Sequence, residues 1–142
     1  MTFSVKTSSF EMQTAGFGDI LDITRQVAKG VSGSGLSDGT ATVFVPGSTA
    51  GITTIEYEPG AVEDLKKAIE RQASANLHYA HDARWGDGNG FSHVRAALMG
   101  ASLTVPFIKG ELQLGTWQQI VLCDFDNRAR KREVLVQVMG VE

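Results

Sequence analysis

The chain has 142 residues, 42% hydrophobic and 20% charged, with a formal net charge of −3; this is enough to bury a core and fits one domain. A small negative charge without a cationic face excludes a nucleic-acid binder, and no apolar stretch approaches the ~20 residues of a membrane span. MTFSVKTSSFEMQT has no basic region followed by an apolar core, and the single Cys123 excludes an internal disulfide framework. The expectation is one cytoplasmic domain over residues 1–142, with Cys123 a packed, inert thiol in the run IVLCDF.

Taken in chain order, residues 2–13 alternate loosely with many Ser and Thr, predicting a half-exposed strand. Ile20, Ile23, Val27 and Val31 stand at helical spacing and predict a helix over 19–31, with Asp19 or Asp22 as its cap. GVSGSGLSDGT then stops it with glycines. TATVFV (40–45) and AGITTIEY (50–57) read as strands separated by Pro46-Gly47-Ser48. Val62, Leu65 and Ile69 predict a helix over about 60–75, with Glu63, Lys66, Lys67 and Glu70 outside. A short helix is expected over Ser92–Met99, followed by four strand-like segments: ASLTVPFI, ELQLGT, WQQIVLCDFD and REVLVQVMG. Adjacent apolar residues in these strands, Ile120-Val121-Leu122 and Leu135-Val136, suit sheets buried on both faces. The order is that of an α+β fold.

The chemistry concentrates in HYAHDARWGDGNGFSHVRAALM (78–99), which holds all three histidines, His78, His81 and His93. Imidazole and carboxylate at such positions bind a divalent metal or relay protons. Their spacing matches no named zinc motif, so a hydrogen-bonded structural role stays open beside the metal or acid–base one. DGNG (87–90) is not a calcium loop, because Phe91 and His93 fall where oxygen ligands belong and no glutamate follows. In PGSTAG (46–51), Ser48 and Thr49 make either a phosphate-holding nest or a plain turn. Glu56 and Glu58 share one strand face and either complete a metal shell or face solvent. Trp117 reads as core or interface, and Gln118, an amide in an apolar strand, needs a partner. The run Arg128-Ala-Arg-Lys-Arg132 reads as a turn or exposed strand end, with a modest anion-binding role as the alternative. A serine hydrolase is excluded by the absence of a G-x-S-x-G elbow.

The series FVPGSTAGITTIE (44–56), YAHD (79–82), DGNGFSH (87–93) and LMGASLTVPFIKGELQLGTWQQI (98–120), closed by the arginine-rich turn and last strand, resembles the YjbQ family. Those small proteins are described as secondary thiamine-phosphate synthase enzymes. The resemblance implies a compact single domain with a β-rich, sandwich-like core flanked by two main helices, assembled as a homotrimer. It implies joining of a hydroxymethylpyrimidine diphosphate to a thiazole phosphate with release of pyrophosphate. Carried over residue by residue, His81, Asp82 and His93 would be catalytic, and His81 and His93 would hold a divalent metal, Mg²⁺ or Zn²⁺. Ser48, Thr49, Asn89, Ser92 and Gln118 would contact the small phosphorylated metabolite. Many members carry V-P-H-T-T, whose histidine falls on Gly47 here, which leaves a two-histidine shell; His78 lies outside the pattern. The alternative is a trimeric metal- or phosphometabolite-binding protein whose synthase activity is incidental.

Overall fold

The computed structural model describes residues 2–142. The N-terminal alternation forms strand β1 (Phe3–Thr14), followed by β2 (Asp19–Asp22), helix α1 (Thr24–Gly33), β3 (Asp38–Phe44) and β4 (Ala50–Ile55). Three helices come next: α2 (Pro59–Gln72), α3 (Ala80–Trp85) and α4 (Gly90–Met99). The chain closes with β5 (Ser102–Ile108), β6 (Glu111–Leu112), β7 (Gln119–Asp124) and β8 (Arg130–Val141). The strands build two antiparallel sheets, ordered β1-β8-β3-β5-β6 and β2-β7-β4. No helix among the described residues is long and apolar enough to cross a membrane.

The parity of side chains along β7 creates the layers. Ile120 and Leu122 point into a core shared with Val43, Val134 and Val136 of the larger sheet and with Val27 and Val31 of α1. Val121 and Cys123 point the opposite way, into a second core closed by Val62, Leu65 and Ile69 of α2 and Ala96 and Met99 of α4. The smaller sheet is therefore the middle layer, covered by a sheet and α1 on one face and by α2 and α4 on the other. This is the α+β fold with a β-rich, sandwich-like core that the family resemblance implies, with α1 added to two helices on the opposite face. Burial on both faces explains the uninterrupted apolar run of β7, and it pushes the Cys123 thiol up to about 12.

Several elements depart from the sequence reading. The expected helix over 19–31 divides, because Ile20 and Leu21 pair with Cys123 and Leu122 as strand β2 and α1 begins only at Thr24. Asp22 still serves that start: its Oδ1 accepts from the Thr24 N–H at 3.0 Å and from the Thr24 hydroxyl at 2.7 Å. Burial on both faces holds for β7 but not for β8, where Val134, Val136 and Val138 face the core while Glu133, Gln137 and Met139 are exposed. Glu58 is neither a metal ligand nor idle: its carboxylate accepts from the N–H groups of Gly60 and Ala61 and caps α2, whose first residue is Pro59.

Candidate functional site

Helix α3 and the start of α4 form a hairpin around the loop 86–89. Gly86 ends α3 in a left-handed conformation, its N–H donating to the Asp82 carbonyl at 2.8 Å. The Asp82 side chain reaches across the loop, where Oδ1 accepts from the N–H of Gly90, the first residue of α4, at 2.8 Å. That carboxylate does for α4 what an N-cap residue normally does, and it favours the positive end of the helix. Asn89, in the cap position, makes no capping bond, and its Oδ1 is buried with no hydrogen-bond partner.

The hairpin brings the two family-matched histidines together. His81 and His93 have ring centroids 4.5 Å apart with the planes at 61°. His81 Nε2 lies 3.0 Å from Asp87 Oδ1 but makes no hydrogen bond with good geometry. Single ligand atoms of His81, Asp82 and Asp87 all lie within 4.8 Å of one another. Beyond the rings, His93 lines a shallow cavity of about 410 Å³ with Gly47, Ser48, Ala50 and Ala97.

Beneath the hairpin lies a buried ionic network. Asp124 is 0% and Arg132 5% exposed. Arg132 binds Asp124 through Nε (2.7 Å) and Nη2 (2.8 Å), and Thr14 donates its hydroxyl to the same carboxylate at 2.6 Å. Burial alone would raise the Asp124 carboxyl, but the bonds from Arg132, Thr14 and the Asp126 N–H outweigh it and hold the group below its ordinary value. Thr49 belongs to this network, accepting from Arg132 Nη2 at 2.7 Å and donating to Asp126 Oδ2 at 3.1 Å.

The sequence-derived residues consequently fall into three groups. His81, Asp82, Asn89 and His93 share the hairpin, and exposed Ser48 shares the cavity beside His93. Thr49 and Ser92 are close by but committed inward: the fully buried Ser92 hydroxyl donates to the Phe125 carbonyl and fastens α4 to the end of β7. Gln118 stands elsewhere. Along β4, Ala50 pairs with Asp124 at the site end and Ile55 with Gln119 at the other, five steps of ~3.3 Å away. Its amide precedes the strand instead of lying within it, accepting from Gly115 N–H at 3.0 Å and donating to Thr54 at 3.3 Å. Neighbouring Trp117 is 72% exposed and forms no part of the core. His78 is exposed.

Sequence reasoning passed over Asp87, and it placed the arginine run at the surface although Arg132 is interior. One signal was present: IVLCDFD ends an apolar strand with two acids, and acids so placed require buried partners. Gly47 has φ +133°, and a Cβ there would lie 3.0 Å from Arg132 Nη1.

Residues 8–141 match the family model described as UPF0047 protein YjbQ-like. A UPF0047 protein of Methanothermobacter thermautotrophicus is 35% identical over 96% of this chain and 93% of its own length. UPF0047 protein YugU of Bacillus subtilis is 34% identical over 93% of this chain and 98% of its own. Among solved structures, a YbjQ-like protein of unknown function from Sulfolobus solfataricus superposes with a TM-score of 0.93 at 32% identity, covering 98% of this chain and 99% of that one. An uncharacterised yjbq/upf0047 protein of Clostridium acetobutylicum superposes with a TM-score of 0.84 at 36% identity, covering 92% and 98%. The fold and the near-complete span of the match lead to one conclusion: the chain belongs to the YjbQ (UPF0047) family.

Proposed function

We propose that the α3–α4 hairpin is a divalent-cation site and that the protein uses it as an enzyme of the secondary thiamine-phosphate synthase type. The observation that carries this reading is the pair of buried polar atoms without hydrogen-bond partners, His81 Nε2 and Asn89 Oδ1, beside two convergent carboxylates. A mixed nitrogen and oxygen donor set of this kind fits Zn²⁺, and its carboxylates fit Mg²⁺. His81, Asp82 and Asp87 would hold the ion, with His93 edge-on to His81. The missing histidine at Gly47 is offset in this chain by Asp87.

In the reaction, the bond between the pyrimidine methylene and the diphosphate oxygen breaks, and pyrophosphate leaves with the electron pair. The thiazole nitrogen then forms the new carbon–nitrogen bond. A bound divalent cation would supply charge neutralisation for the departing group. The chain's own residues do the rest. The His93 imidazole, which is not among the groups that would hold the ion, would deliver a proton to a departing phosphate oxygen, Asp82 holds the hairpin in shape, and Ser48 offers a hydroxyl in the cavity beside His93. No covalent nucleophile is needed, in keeping with the inert Cys123. Assembly as a homotrimer is the route by which the distant Gln118 would reach a histidine pair, and it would cover the exposed Trp117.

The test is turnover of hydroxymethylpyrimidine diphosphate and thiazole phosphate with Mg²⁺ or Zn²⁺, comparing wild type with His81→Ala and His93→Ala. Loss in both variants supports the roles; wild-type turnover in both removes them, and an inactive wild type removes the reaction. A second reading, a metal- or phosphometabolite-binding trimer, is favoured by Gly47 in place of the third family histidine. Elemental analysis and native mass spectrometry separate the two: stoichiometric ligand without turnover selects the binder.

A further inference from the structure

Asp87 and Asn89 face a second space. They line a cavity of about 340 Å³ whose other walls are Asp126, Asn127, Arg128 and Arg130 and which contains none of His81, Asp82 or His93. The cavity is built, not incidental. Asn127 Nδ2 donates to the Asp87 carbonyl at 2.9 Å and ties the arginine turn to the hairpin loop, while the Asn127 N–H donates to Asp126 Oδ1 at 2.8 Å. Gly16, at φ +72°, packs against that turn so closely that a Cβ would lie 2.2 Å from the Arg128 carbonyl oxygen. Only glycine permits the approach.

Its charges are specific. Asp126 is already satisfied, accepting from the Thr49 hydroxyl and pairing with Arg130 Nη1 at 3.2 Å. Asp87 turns its carboxylate toward His81. Arg128 is exposed and has no ion-pair partner among the described residues. With a divalent cation at His81, Asp82 and Asp87, the ion offsets the two carboxylates and Arg130 offsets Asp126. The Arg128 guanidinium is left over as the unpaired charge of the cavity wall.

We propose that this cavity is the phosphate subsite of the same site: a diphosphate or phosphate ester chelated to the cation extends between it and the Arg128–Arg130 wall. The inference rests on the cation reading above and names the ligand class it serves. Guanidinium forks suit phosphate oxygens, binding them through paired N–H donors. The subsite also replaces the Ser48–Thr49 turn as the phosphate holder, because the Thr49 hydroxyl is spent inside the protein.

The experiment is calorimetric titration of the full chain with inorganic pyrophosphate, in MgCl₂ and separately in EDTA. The variants are Arg128→Gln and, as a charge-matched control outside the cavity, Arg84→Gln, which lies over the Trp85 ring. Both arginines are exposed, so both variants keep the fold, which circular dichroism verifies. The expected result is one pyrophosphate per chain with Mg²⁺, binding at least tenfold weaker in Arg128→Gln, and unchanged in Arg84→Gln. Equal affinity in wild type and Arg128→Gln overturns the subsite while leaving the cation site standing, as does a wild type that takes up Mg²⁺ but no pyrophosphate. Loss in Ser48→Ala with none in Arg128→Gln also overturns it, placing the phosphate at the turn. Binding that persists in EDTA and still falls in Arg128→Gln upholds the arginine wall and removes the cation reading instead.

Discussion

Replacing Asp124 by asparagine keeps its shape and removes its charge, which leaves the Arg132 guanidinium, 5% exposed, without its carboxylate partner. Breaking one side of a buried ion pair costs about 3–5 kcal/mol, because the remaining charge stays desolvated. Unfolding entropy of ~2.1 cal/mol/K per residue converts this, for 142 residues, to a fall in Tm of about 10–17 °C. Calorimetry at pH 7 measures it. Removing both partners together, in Asp124→Leu with Arg132→Met, should cost less than the single change, since no orphaned charge is left. The pH dependence has a definite sign. The folded carboxyl sits below its ordinary value, so its stabilisation is present above the unfolded pKa and is lost as pH falls through the folded one. Wild type should therefore weaken below about pH 4, and Asp124→Asn should show a shallower loss there. A Tm change under about 3 °C for Asp124→Asn, or identical acid profiles, would refute the assignment of this pair as the anchor of the site.

Three further outcomes follow from the same geometry. Asp87→Asn should weaken Zn²⁺ or Mn²⁺ binding at least tenfold by calorimetry while moving stability by no more than about 0.5 kcal/mol, since Asp87 is 51% exposed; unchanged metal affinity would remove it from the ligand set. Ser92→Ala should cost about 1–3 kcal/mol in urea denaturation, because the buried Phe125 carbonyl loses its donor. Gly47→His, which restores the family residue, should lower stability by about 1–3 kcal/mol, since position 47 has φ +133° and its Cβ would press on Arg132; a stabilised variant would show that the turn adapts freely.

Elements whose side chains repeat over many residues were legible in the sequence. Helix α2 and strands β1 and β4 carry enough pattern to announce themselves, β7 does so by its uninterrupted apolar run, and α2 starts within a residue of its expected place. Helix α3 was not legible: its six residues, AHDARW, have no apolar stripe, and its place depends on tertiary bonds such as Asp82 to Gly90. Strand β2 was hidden because Ile20 and Ile23, three apart, also fit a helix, and only pairing with β7 decides between the readings. At the site, the histidines were found through the family pattern. Asp87 was missed because its partners sit in the preceding helix, and no spacing rule links residues across a helix–loop junction. Arg132 was read with its exposed neighbours, since a run of cations does not reveal which member turns inward.

The parts that converge on the hairpin are set by Asp124, the last residue of β7, and the three residues that follow it. Asp124 holds Arg132 and Thr14, the Phe125 carbonyl holds Ser92 of α4, Asp126 holds Thr49 and Arg130, and Asn127 holds the loop carbonyl of Asp87. Each bond fixes a different wall of the site, and the segment that makes them runs directly on from a strand buried on both faces. A site on such a support needs little ordering when a ligand arrives, so binding energy is not consumed in assembling it. The same arrangement explains why the acids follow the apolar run directly: the strand supplies rigidity, and its first polar residues distribute that rigidity to α4, the hairpin loop, the Ser48–Thr49 turn and the arginine turn.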